Sequence, residues 1–241
     1  MKPFFSFYGG KWRGAPHYSP PEYSTIVEPF AGSAGYSVRH ASNNVVLVER
    51  DPLIAETWRY LLAVSEAEIL SLPDIDLEGS VDDLRISPAA RLLIGWWINK
   101  GSAAPKKRPS ANMRKSVLGE RPKDPPSGWW GEAIRHRIAS QIRGIRHWRL
   151  IEGDYSEVPP DVPEATWFID PPYQQAGKHY THGSKDIDFA RLGRWCQDRR
   201  GQVVVCENAG ADWLPFVPHR REKAQRLVAG KRESAEVVWT S

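Results

Sequence analysis

The chain reads as an α/β protein with an open sheet covered by helices on both faces, and three segments predict this. Thr25-Ile26-Val27-Glu28 is a short strand that runs into the small-residue turn Gly32-Ser33-Ala34-Gly35 and then, with no breaker from Tyr36 to His40, into a helix. Val45-Val46-Leu47-Val48-Glu49 is a second buried strand. Ala165-Thr166-Trp167-Phe168-Ile169 is a third apolar run of strand length. Strand, tight turn and helix followed by another buried strand is the arrangement of a Rossmann-like unit.

The other elements follow in chain order. Residues 88–100 read as a helix carrying Leu92, Leu93, Trp96 and Trp97; the tryptophans suit stacking on bases, but their helical spacing favours packed core. Residues 101–131 are rich in Pro, Ser, Gly and Lys without apolar periodicity, and read as a long loop, mobile until a partner binds. Residues 132–148 predict a helix with Ile134, Ile138, Ile142, Ile145 and Trp148 on one face and Arg135, Arg137, Arg143 and Arg146 on its flanks, directed to phosphate or to solvent. Residues 174–184 are polar, and Gly177-Lys178-His179-Tyr180 is either a segment closing over a ligand or an ordinary surface loop. A helix over 186–200, a buried strand over 201–208 and an antiparallel pair near 223–228 and 235–240, joined by Lys231-Arg232-Glu233-Ser234, complete the chain, which shows no internal repeat.

Charge is unevenly distributed. The net charge is only +4, yet residues 101–150 hold 12 Lys plus Arg against 3 Asp plus Glu, a local +9 that leaves −5 elsewhere. Such a basic segment is either a solvated linker or a surface that grips phosphates. The mean hydropathy of −0.51 and the absence of an apolar stretch of roughly 18 residues predict no membrane span. Met1-Lys2-Pro3-Phe4-Phe5 lacks the apolar region of a signal peptide. Cys196 and Cys206 form no CxxC pair, so neither a disulfide framework nor a metal site is expected, and both are read as small hydrophobes. Neither follows a proline, which argues against a cysteine-nucleophile mechanism at a pyrimidine ring.

The chemistry is concentrated in Asp170-Pro171-Pro172-Tyr173, directly after the third strand. A planar exocyclic amine is a poor nucleophile because its lone pair is delocalised into the ring. A carboxylate and a backbone carbonyl that accept its two N–H bonds draw the nitrogen toward tetrahedral geometry and free that pair. The prolines stiffen the turn, and Tyr173 offers a flat face, rather than its hydroxyl, to a base swung out of its helix. Taken alone, these four residues would also suit an ordinary Pro-Pro turn. Upstream, the small residues of the glycine turn let backbone approach a ligand, and Glu49 follows Gly32 at close to the roughly 20 residues expected of an acid that accepts ribose hydroxyls. It is not a phosphate loop, since Gly10-Lys11 runs into Trp12 and Gly230-Lys231 into Arg232.

Together these motifs resemble those of the Dam-type DNA N6-adenine methyltransferases, from residue 4 nearly to the C-terminus. The resemblance implies a Rossmann-like class I methyltransferase sheet made by residues 1–65 and 149–241, with residues 66–148 as a helical and basic-loop target-recognition insert. It implies S-adenosylmethionine as cofactor and no metal. In the family an aromatic-Gly-Gly-Lys element touches the cofactor, matched by Phe7-Tyr8-Gly9-Gly10-Lys11; the Glu-Pro-Phe-x-Gly segment is similar to Glu28-Pro29-Phe30-Ala31-Gly32, continued by Ser33 and Ala34. Glu49 corresponds to the ribose-binding acid, Asp154-Tyr155 to the adenine-binding pair, and Asp170-Pro171-Pro172-Tyr173 to the catalytic tetrapeptide, whose Asp170 also borders the cofactor. Duplex DNA is the implied partner, gripped by Lys106, Lys107, Arg108, Asn112, Arg114, Lys115, Arg135 and Lys178. The cytoplasm of a prokaryotic or phage-type host is the implied location; oligomeric state is left open, a monomer sufficing. Two departures stand out. Gly-Ser-Ala-Gly replaces Gly-x-Gly, and the Asn- and Gly-rich run expected after Trp96-Trp97-Ile98-Asn99-Lys100 is missing, so the recognised sequence does not carry over. An RNA or protein N-methyltransferase, and a catalytically silent DNA-binding relative, remain open readings of the same motifs.

Overall fold

Alternate residues of each central strand face opposite sides of one sheet, which is what a strand buried on both faces requires. A computed structural model describes residues 1–241 except 160, 163, 178–179 and 224–232, and only the backbone of 220–223, 233 and 234. Its strands are β1 (Thr25–Glu28), β2 (Asn44–Glu49), β3 (Arg149–Glu152), β4 (Ala165–Ile169), β5 (Gly201–Asn208), β6 (Val217–Lys223) and β7 (Glu233–Thr240). They form one sheet of order β3-β2-β1-β4-β5-β7-β6, parallel except where β7 runs antiparallel to both β5 and β6. This is the Rossmann-like class I methyltransferase fold expected from the sequence.

On one face Ile26, Val45, Leu47, Phe168, Val204 and Val238 join the larger core, with the N-terminal aromatics Phe4 and Phe5. On the other, Val27, Val46, Trp167, Ile169, Val203 and Val205 pack against Leu192 and Cys196 of α7 (Phe189–Gln197). Helix α1 (Gly35–Arg39) follows the glycine turn, and α2 (Pro52–Ala63) starts where Asp51 accepts the Leu53 N–H and Pro52 fixes the first turn. Residues 66–148, between α2 and β3, contribute α3 (Glu66–Ser71), α4 (Pro88–Ile98), α5 (Ala111–Val117) and α6 (Glu132–Ala139), and their buried hydrophobic residues other than Ala89 belong to the same larger core. Trp96 and Trp97 are buried as the helical spacing indicated, their indoles donating to Thr57 Oγ1 and the Phe4 carbonyl. Both cysteines are buried and unpaired, and burial pushes the Cys196 thiol up to about 12.

Three expectations are corrected. Residues 101–131 are not one loop: Ser110 caps α5 through the Met113 N–H, and Met113, Trp129 and Trp130 are buried. The backbone there is pinned by Lys106 N–H to Gly95 O and Ser110 N–H to Ile98 O, long-range bonds that no local pattern reveals. The helix over 132–148 stops at Ala139 and resumes as a 3-10 turn over Ile142–Ile145, whose three-residue repeat keeps Ile142, Ile145 and Trp148 on the core. The turn expected over 231–234 is corrected at Glu233 and Ser234, which begin β7, and its partner β6 already occupies Val217–Lys223, tolerating Pro218 because it is the edge strand and carries an irregularity there. Residues 224–228 of the expected first strand and the joining residues 231 and 232 lie outside the described residues.

Gly35 determines how closely the N-terminal segment approaches the sheet. A Cβ at this position would sit 2.8 Å from the Lys11 carbonyl carbon and 2.9 Å from its nitrogen, backbone atoms with no freedom to swing aside. Gly35→Ala is therefore expected to cost about 1–3 kcal/mol, the range for overpacking a tight interior. Urea unfolding checks this, as a lower midpoint at unchanged slope.

Candidate active site

The strand order reverses between β1 and β4, so the crossovers after these strands leave to opposite sides and a crevice opens at their C-terminal ends. A cleft of about 510 Å³ lies there, a volume suited to a nucleoside-sized ligand. The expected residues Phe7, Tyr8, Gly10, Lys11, Glu28, Pro29, Phe30, Gly32, Ser33, Glu49, Asp154, Tyr155, Asp170 and Pro172 all line it. Ala34 is fully buried behind the turn, and Pro171 is buried as well. The turn is made by two left-handed residues, Gly32 (φ +47°) and Ala34 (φ +48°), a conformation that disfavours the alanine. It brings the Gly32 N–H to Glu49.

Glu49 ends β2 with Oε2 accepting from the Gly32 N–H at 2.8 Å and Oε1 from the Asp51 N–H at 2.8 Å. Burial pushes its carboxyl up to about 7, against the pull of those two donors. Each oxygen keeps a lone pair, so the carboxylate still has room for two hydroxyl donors. Glu28 accepts the Ser37 N–H at 2.6 Å, and burial pushes it to about 8. Across the cleft Phe30 and Tyr155 stack with centroids 5.4 Å apart, beside Asp154, whose carboxylate accepts the Ser156 N–H while Glu157 accepts that of Asp154. An acid at a strand end, an aromatic pair and a turn with donor N–H groups could hold a nucleoside cofactor such as S-adenosylmethionine, for which Glu49 would accept ribose hydroxyls and Phe30, Asp154 and Tyr155 would border the adenine.

Asp170 follows β4, with Lys11 Nζ 2.9 Å from its Oδ1. Burial raises the Asp170 pKa and the ammonium opposes it. Burial also depresses Lys11, but Asp170, Tyr173, Cys206 and Glu236 outweigh that and hold it well above the ordinary lysine range. Tyr173 is half-buried and packs on the larger core, with the ammonium 4.8 Å from its ring centre. Its hydroxyl has work of its own: it accepts from Lys11 Nζ at 2.7 Å and donates to Glu236 Oε1 at 3.0 Å. Glu236, on β7, was not identified from sequence. Neither was Glu207, the penultimate residue of β5, which accepts the Gln174 N–H at 2.9 Å and the Trp213 indole N–H at 3.1 Å, anchoring the chain just after the Asp170-Pro171-Pro172-Tyr173 turn. A carboxylate closing an apolar strand, as Glu49 does, was the available signal for Glu207. Glu236 had no such marker.

Tyr180 packs on Phe7 and Tyr8 with centroids 6.0 and 5.7 Å away and forms a wall of the cleft, with its hydroxyl against Gly9. Lys178 lies outside the described residues. The other expected nucleic-acid contacts lie in the insert, and Ala103 brings that insert to the cleft wall. Lys106 and Lys115 are exposed. Lys107 pairs with Asp82 at 2.7 Å, Arg108 donates to the Glu78 carbonyl, Arg114 lies 3.7 Å from the Glu78 carboxylate, Arg121 donates to Asn112, and Arg135 pairs with Asp74. Arg137 lies over Trp97 and Arg143 pairs with Glu66 inside the insert, while Arg146, which donates to the carbonyls at the end of α2, and Arg137, which donates to the Pro3 carbonyl, tie the insert to the body.

The raised Glu28 pKa makes a stability prediction. Between about 4.5 and about 8 the folded state keeps a proton that the unfolded chain releases, so Glu28 lowers stability progressively as pH rises through that window. Glu28→Gln, which can still accept the Ser37 N–H, is expected to gain stability over wild type with rising pH, by on the order of 5 kcal/mol above the window. Urea midpoints measured across pH check this; a constant difference between the two proteins would contradict it.

No family model and no curated protein matches the chain. Among solved structures it is similar to the rRNA methyltransferase aviRa from Streptomyces viridochromogenes, at 16% identity over 90% of this chain and 76% of that one with a TM-score of 0.36. A second structure of aviRa gives 16% over 99% and 88% with a TM-score of 0.38. A SAM-dependent methyltransferase from Neisseria gonorrhoeae gives 15% over 97% and 67% with a TM-score of 0.36. At such distance the functional reading rests on the residues of the cleft.

Proposed function

We propose that the chain is an S-adenosylmethionine-dependent N-methyltransferase whose acceptor is the exocyclic amine of a nucleic-acid base, adenine N6 in duplex DNA. The observation that carries this is the meeting of Asp170, Lys11, the glycine turn and Glu49 in one cleft at the strand-order reversal. The choice of adenine and of DNA rests on the resemblance of Phe7-Tyr8-Gly9-Gly10-Lys11 and the catalytic turn, and on the basic insert beside the cleft.

When bound, the cofactor would supply an electrophilic methyl group on a positively charged sulfur. Asp170 accepts an N–H of the target amine, which raises electron density on nitrogen as the new N–C bond forms. Burial makes Asp170 more basic than an ordinary carboxylate, so it is suited to receive the proton the nitrogen must release. Lys11 limits that shift and keeps Asp170 anionic before the reaction. Glu207 fixes the residue after the turn, and Tyr180 with Phe7 and Tyr8 narrows the cleft against water.

Tritiated methyl transfer to duplex DNA and to RNA, with nucleoside analysis of the product, tests the reading. N6-methyladenine in DNA is the expected product; label in RNA alone or in protein would move the substrate, and no transfer to any acceptor would leave a binding protein. Asp170→Asn, which keeps an oxygen acceptor for Lys11 but loses the negative charge, is expected to lower turnover by about 100-fold or more. Near-normal turnover in that variant would remove Asp170 from the mechanism.

Of the expected phosphate contacts in the insert, Lys106 and Lys115 are the cations left for an outside partner, because Lys107, Arg108, Arg114 and Arg135 are engaged within the protein. Replacing both with alanine is expected to reduce the slope of log affinity against log salt by roughly 2, with cofactor affinity unchanged. An unchanged slope, read from titrations at several salt concentrations, would place the nucleic-acid surface elsewhere.

A further inference from the structure

The Tyr173 hydroxyl, Lys11 and Glu236 form a buried polar knot beneath the catalytic turn. Lys11 Nζ lies 2.7 Å from the hydroxyl, 2.9 Å from Asp170 and 3.5 Å from Glu236, while the hydroxyl donates to Glu236 at 3.0 Å. The Lys11, Asp170 and Glu236 side chains are 14%, 20% and 10% exposed. Two carboxylates thus share one ammonium out of water, where an unbalanced charge is costly. Asp170 alone would neutralise Lys11, so a second acid needs another role. It comes from β7, the strand inserted between β5 and β6, where Glu236 stands opposite Asn208.

Resting on the methyl-transfer reading above, we propose that Glu236 is a positioning residue for the reaction, fixing the Tyr173 ring through its hydroxyl. The ring is then held at both ends. At one end the Gly177 N–H bonds the Tyr173 carbonyl at 2.7 Å, and at the other Glu236 and Lys11 bond the hydroxyl. An aromatic face held this way needs no reorganisation when a base arrives. The shared ammonium keeps Asp170 anionic without saturating its oxygens, so lone pairs remain for the target amine. Phenylalanine at 173 would keep the ring but lose this anchor, so the hydroxyl matters as well as the face.

Steady-state kinetics of methyl transfer to duplex DNA test the assignment, with urea midpoints recorded for every variant. Glu236→Ala is expected to lower kcat by about 10–100-fold with both KM values within about twofold, because alignment rather than binding is lost. Glu236→Gln, which keeps an acceptor for the hydroxyl, should recover most of that loss. Tyr173→Phe should lose about as much as Glu236→Ala, and the double variant little more, since both remove one interaction. Should Glu236→Ala fail to fold, the comparison of Tyr173→Phe with Tyr173→Phe/Glu236→Gln decides in the same way. Wild-type kcat in folded Glu236→Ala, or losses that multiply in the double variant, would overturn the inference and leave the function standing. A wild-type protein with no turnover on DNA or RNA would overturn the function and the inference with it.

Discussion

A buried ammonium cannot be left without partners, and the placement of Lys11 organises the site. The cation arrives on the N-terminal segment, meets Asp170 from the end of β4, and is shared with Tyr173 and Glu236. Three pieces of chain remote in sequence are thereby fixed relative to one another. That contact depends on backbone approaching backbone at Gly35, where a side chain would push the Lys11 segment away. Sheet topology, glycine placement and charge pairing are therefore one constraint.

The charges divide by sign. Glu49, Asp154 and Asp170 line the cleft and suit the cationic cofactor proposed for it, while Glu28 beside them holds its proton up to about pH 8; the net positive charge lies in residues 101–150. Burial raises Glu28 and Glu49 toward neutral pH, and the N–H groups of Ser37, Gly32 and Asp51 limit that rise. An acidic interior beside a basic outer segment separates the two roles proposed for the protein, holding a cationic cofactor and meeting a polyanion.

Much of the insert's positive charge has structural work. Arg146 donates to the carbonyls that end α2, Arg135 and Arg143 pair with Asp74 and Glu66, and Arg137 lies over Trp97. A count of basic residues therefore overstates the charge available to an outside partner, because arginine readily serves as a hydrogen-bonded strut. Of the exposed lysines of the segment, Lys107 pairs with Asp82, whereas Lys106, Lys115 and Lys123 escape that use.

The sequence by itself determined the strands β1, β2, β4 and β5, the glycine turn, Glu49 and the Asp170 turn, because unbroken apolar runs and small-residue turns are local signals. It also gave the buried face of residues 134–148, although the break after Ala139 could not be read from a periodicity that a 3-10 turn preserves. Helix α5 was hidden because its order comes from long-range backbone bonds to α4 and from the burial of Met113. Only the tertiary structure decided that β7 enters the sheet beside β5 and carries Glu236 to the Tyr173 hydroxyl, 63 residues away in the chain. A carboxylate in a strand looks the same in sequence whether it faces water or a buried ammonium, and strand order, which no local pattern encodes, is what distinguishes the two.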